Sequence, residues 1–133
     1  MEGEIWMSLQ ASRGANATLF LGVVIAIWVA ARFSSVAVEK GANALAKVII
    51  TLFAFSVFAI SWNLFTLVGN QWRGHAAAFQ GLKDSKVEIS PLAQGFIDQY
   101  AGEAMSAPNG IGIVFLVTAL LIAVLPLWIK ATD

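Results

Sequence analysis

The chain has no cysteine, one histidine and three prolines in 133 residues, and only 12% of it is charged. Each shortage closes off a class of chemistry. Without cysteine there is no disulfide, no thiolate metal site, no iron–sulfur cluster and no thiol nucleophile. A lone histidine leaves a zinc or copper site short of two or three ligands. Charge of neither sign dominates, because eight Lys and Arg meet eight Asp and Glu. No net field therefore favours nucleic acid. A soluble domain averages about 25% charged residues. Half that proportion, with 59% hydrophobic residues and a mean hydropathy of +0.78, indicates a membrane protein of one domain.

What is abundant is long apolar sequence. A hydrocarbon core of roughly 30 Å takes about 20 apolar helical residues, and three windows have that length. They run from Ala15 to Val38, from Val48 to Gly69 and from Ile111 to Ile129. The second and third carry no charge, and the first carries only Arg32, placed to mark its end or to reach the headgroups. Backbone polar groups in lipid must be satisfied within the segment or in a closed barrel, and none of the runs shows the alternation of a barrel strand. The expected fold is an all-α integral membrane protein with three transmembrane helices. The first run is not expected to be a cleaved leader, because Glu2 and Glu4 stand where a leader has basic residues.

Between the second and third spans lie about 40 residues, too many for a plain linker. Ser90 is a good N-cap and Pro91 suits the first helical position. Leu92, Phe96, Tyr100 and Ala104 recur every four residues, flanked by Ala93, Ile97, Ala101 and Met105. This spacing predicts an extramembrane amphipathic helix over 91–106, stopped by Pro108-Asn109-Gly110. Its polar side is acidic, so its stripe is expected to pack on the ends of the spans or on a partner protein rather than on anionic lipid.

Three spans place the N-terminus and the 70–110 connection on one side, and the 39–47 loop and the C-terminus on the other. Each side carries four basic residues: Arg13, Arg73, Lys83 and Lys86 against Arg32, Lys40, Lys47 and Lys130. The second group lies tighter against the helix ends, which favours an N-out, C-in arrangement in a bacterial-type inner membrane.

Few residues offer chemistry. Trp72 and Arg73, with Trp6 and Trp128, are expected as interfacial anchors, since an indole is apolar in body and polar at its N–H. His75 is a candidate ligand for a metal or cofactor, but no carboxylate or imidazole stands three or four residues further on. Asn63 falls near the middle of the second span, where a polar group is costly unless paired, and is expected to bond across a helix interface. Gly22, Ala26 and Ala30, with Gly110, Gly112, Ala119 and Ala123, supply small faces for close helix approach. Asn16-Ala17-Thr18 matches the glycosylation sequon by chance. No nucleophile–base set, phosphate loop or paired carboxylate site appears.

The expected function is that of a small non-catalytic accessory subunit of a larger membrane complex. It would pack by its spans and dock through the 70–110 segment, with Phe96 and Tyr100 on the docking stripe. Its partners would be the lipid bilayer and other membrane subunits, as a hetero-oligomer rather than a homo-oligomer, without nucleic acid. No cofactor other than lipid is expected in the chain itself. Two alternatives stand beside it: a self-assembling channel or transporter component with Asn63 at its axis, and a metal- or cofactor-binding enzyme subunit using His75.

Overall fold

A computed structural model describes residues 1–130 as four helices: α1 (Glu2–Glu39), α2 (Ala44–Asp84), α3 (Pro91–Tyr100) and α4 (Gly110–Trp128). Three of them, α1, α2 and α4, are long and apolar enough to cross a membrane. Each of these three packs against the other two, and α3 packs on α2.

Two helices are much longer than their expected spans. At about 1.5 Å per residue, α1 and α2 run about 57 and 61 Å, roughly twice the thickness of a hydrocarbon core. The N-terminal stretch, expected as a tail, is helix from Glu2 onward. The residues after Gly69, expected as the start of a connection, continue α2 to Asp84. Neither extension contains proline, and their apolar residues cover one another: Leu9 and Ala76 are buried. α1 and α2 are antiparallel, so both extensions project from the same end of the bundle.

That end carries its own core. Phe79, Ala93 and Ile97 are buried there, with Ile5, Trp6, Ile89 and Phe96 packed around them. Trp6 lies 4.7 Å from Phe79 and 5.7 Å from Phe96 between ring centroids. This head excludes water by burying aromatic area, the stabilisation available outside lipid. The core among the spans is different in kind. Ala30, Ala54 and Ala123 meet at its centre, flanked by Leu120 and Val124. Lipid tails are as apolar as leucine, so helices associate there by close packing of small side chains.

Five of the six buried positions of α1 follow a seven-residue spacing, Leu9, Asn16, Val23, Ala30 and Ala37, and the sixth, Ser34, lies one turn past Ala30. Ala54 and Ser61 do the same on α2, and Leu116 and Ala123 on α4. This is the seam of a left-handed bundle. Within the chain it differs from the four-residue stripe expected on α1. Ala30 is buried, Ala26 is half-buried, and Gly22 faces outward with no atom within 4 Å of a built Cβ. On α4 the close approach is at Gly112, where an added Cβ would come 3.2 Å from Phe65. Gly110 touches nothing.

Local signals fix the ends. α1 closes in a Schellman turn, with Ala42 N–H donating to Ala37 C=O at 2.9 Å and Gly41 at φ +64°. α2 closes the same way, with Val87 N–H on Leu82 C=O at 3.0 Å and Lys86 taking the left-handed position at φ +62°. Asn43, Ser90 and Asn109 each cap the following helix through a side-chain oxygen. Pro126 falls in the last turn of α4, which ends two residues later at Trp128.

The helix expected over 91–106 ends at Tyr100 instead. Ala101 turns to extended backbone, and the segment after it is held along α2. The Asn70 side chain binds both backbone groups of Met105: its Oδ1 accepts from the N–H at 2.6 Å and its Nδ2 donates to the C=O at 3.0 Å. Arg73 donates to the Glu103 carbonyl. Ala104 and Met105 matched the helical spacing but belong to this extended strap.

Candidate functional site

Four turns of α2, from Asn63 to His75, carry most of the polar residues singled out by the sequence. The structure distributes them over three environments.

Above the membrane run, α1 and α2 are joined by a polar belt. Asn16 is buried, and its Nδ2 donates to Gln71 Oε1 at 2.7 Å. The amide of the sequon is therefore used inside the bundle. His75 sits one turn higher. Its Nδ1 lies 2.7 Å from the Gln71 carbonyl, which can only accept, so Nδ1 carries the proton. Its Nε2 then faces Ser8 Oγ at 3.2 Å. Nδ1 is thus spent on a carbonyl of its own helix, and Nε2 alone joins α2 to α1. Among the described residues, no three of His, Asp and Glu come together as a metal-ligand group.

The second environment is the seat of α3. Trp72 is half-buried and stacks on Phe96 at 6.0 Å with 13° between planes, while Tyr100 lies 4.8 Å from it. Phe96 also meets Phe79 edge-on at 5.7 Å. The stripe of Phe96 and Tyr100 thus closes on the chain's own head. Leu92, on the same expected stripe, is 71% exposed. One tie of α3 was not visible in sequence. Glu2 Oε2 accepts from Ser90 N–H at 2.9 Å, and Oε1 accepts from Ser90 Oγ at 2.6 Å and from Trp6 Nε1 at 3.0 Å. Ser90 Oγ in turn accepts from Ala93 N–H. The hydrogen bonds from Ser90 and Trp6 hold the Glu2 carboxyl below its ordinary range.

The third environment is the outer face of the second span. Asn63 is exposed there, and its amide has no hydrogen-bond partner among the described residues. Ser56, Ile60 and Leu67 share its face, all of them exposed or, for Ser56, bonded to its own helix at Leu52 C=O. The expected bond from Asn63 across an interface is not made within this chain. Further along the bundle, the contact of Ala30, Ala54 and Ala123 leaves a gap of only about 10 Å³. At the opposite end, Trp128 donates from Nε1 to Thr51 Oγ1 at 3.0 Å, and Lys47 lies 5.9 Å over its ring.

No family model, curated protein or solved structure matches the chain.

Proposed function

We propose that the chain is a non-catalytic accessory subunit of a larger membrane complex, and that it meets its partner along the outer face of α2 centred on Asn63. The carrying observation is that exposed amide within the apolar run of α2, six residues before Gly69. An amide left without hydrogen bonds in hydrocarbon costs several kcal/mol. Polar residues at that depth face another helix or a water-filled cavity, and Asn63 is exposed on the side of α2 turned away from the chain's own bundle. A partner helix supplying a donor and an acceptor removes the cost. The direct gain is about 0.6 kcal/mol for an average pair, so the amide serves to select the partner and its register more than to hold it.

The head moves the docking surface relative to the sequence expectation. Phe96 and Tyr100 are consumed within the chain, which leaves the spans as the site of assembly. Charge density at the 40–47 end supports an N-out, C-in arrangement, with the head outside a bacterial-type inner membrane.

Extraction from native membranes in mild detergent, followed by native mass spectrometry, tests the proposal. Larger chains should co-purify in fixed ratio, and Asn63→Leu should weaken that association while the head stays folded. Extraction as a lone monomer sinks the reading. Extraction as a homo-oligomer with ion flux in liposomes replaces it with the channel alternative, whose pore would then lie between copies.

A further inference from the structure

A groove of about 790 Å³ opens on the side of the bundle just below the head. Its lower part is apolar, lined by Phe20 and Val24 of α1, Phe65 and Val68 of α2, and Ile111 and Phe115 of α4. Its upper rim is polar: Arg73, Gln99, Tyr100 and Asn109. The division follows depth. The apolar run of α2 ends at Gly69, and Arg73 is one turn, about 6 Å, beyond it, at headgroup level.

The rim is suited to an anion. Arg73 gives one N–H to the Glu103 carbonyl, a neutral acceptor, so its charge is not cancelled there. Asn109 spends its oxygen on Gly112 N–H and keeps its amino group for donation. Gln99 and Tyr100 add further polar groups beside them. A guanidinium with neighbouring donors is the arrangement that receives phosphate. The volume is within the range of about 300–1,000 Å³ typical of small-molecule sites.

We infer that this groove binds one anionic phospholipid, its phosphate at Arg73 and an acyl chain along Phe20, Phe65 and Phe115. The lipid fills the cleft between α1 and α4 under the strap 101–109 and ties the head to the leaflet beneath it. This site is separate from the Asn63 face, and the two stand or fall independently.

The test is native mass spectrometry of the delipidated protein titrated with phosphatidylglycerol or phosphatidylcholine of identical chains. One phosphatidylglycerol per chain should be retained, about fivefold more strongly than phosphatidylcholine, the scale of one basic residue at an anionic surface. Arg73→Gln should erase the preference and Arg73→Lys should keep it. Val24→Trp, which fills the lower groove and leaves the Arg73–Glu103 contact in place, should reduce retention of both lipids. Equal retention of the two lipids by the unaltered protein overturns the proposal. So does phosphatidylglycerol retention unchanged by either Arg73→Gln or Val24→Trp, or closure of the groove by a second copy of the chain with no lipid bound.

Discussion

At the scale of single residues, Glu2 has the most consequential placement outside the membrane. It joins the start of α1 to the start of α3 through Ser90 and secures the Trp6 indole in the same contact. Its carboxyl is held below its ordinary value of 4.5, chiefly by the Ser90 hydroxyl, then by Trp6 and the Ser90 N–H. A depressed carboxyl stabilises the folded form above the unfolded value, and that contribution is lost as pH falls through the folded value. The head should therefore be indifferent to pH from neutrality down to about 4.5 and weaken below it. Near-ultraviolet circular dichroism of the indoles, followed against pH in detergent, checks this. The gap in head stability between the unaltered protein and Glu2→Gln should narrow on acidification. A gap that stays constant to pH 3, roughly one unit under the usual range, rejects the assignment. Ser90 as a cap was legible in sequence, from its place before Pro91. Glu2 as its partner was not, since 88 residues separate them and nothing in the spacing of either end indicates the contact.

At the scale of elements, the protein combines two kinds of core on the same two helices. Run length and lack of charge located the three helices that are long and apolar enough to cross a membrane. They did not reveal which face of each span is inward. Polar side chains such as Asn63 and Ser61 fall on both the outer and the inner side of the second span, so the inward face is marked by size rather than polarity, and Ala30, Ala54 and Ala123 mark it. The extensions were hidden for the opposite reason: residues 2–14 and 70–84 are mixed in polarity and become helical by packing on each other and on α3. The head core rests on Phe79, which is wholly buried. Phe79→Ala should cost the head about 3–5 kcal/mol, the scale of a buried phenylalanine truncation. Hydrogen exchange should then accelerate across α3 while the amides of the three spans stay protected. Unchanged protection over 91–100 would show that α3 is held by the Glu2–Ser90 contact alone.

At the scale of the whole molecule, the head and the 40–43 turn lie at opposite ends of α1 and α2, so a single crossing by each helix, as proposed, puts them on opposite faces of the membrane. The absence of native cysteine makes this directly measurable. Leu92→Cys lies on the exposed head, and Ala44→Cys lies at the exposed start of α2. In intact bacterial cells an impermeant maleimide should label Leu92→Cys, and should label Ala44→Cys only after permeabilisation. The reverse pattern would turn the protein over and put the head inside. The overall layout of spans was readable from composition and run length. The orientation rests on charge density alone, since the basic residues divide equally between the two sides.

α1 and α2 pass from the lipid into the head as unbroken helices, so no hinge separates the two cores. A tilt of either helix among the spans is carried to Trp6 and Phe79 with no joint to absorb it, so a bilayer that changes helix tilt also turns the head.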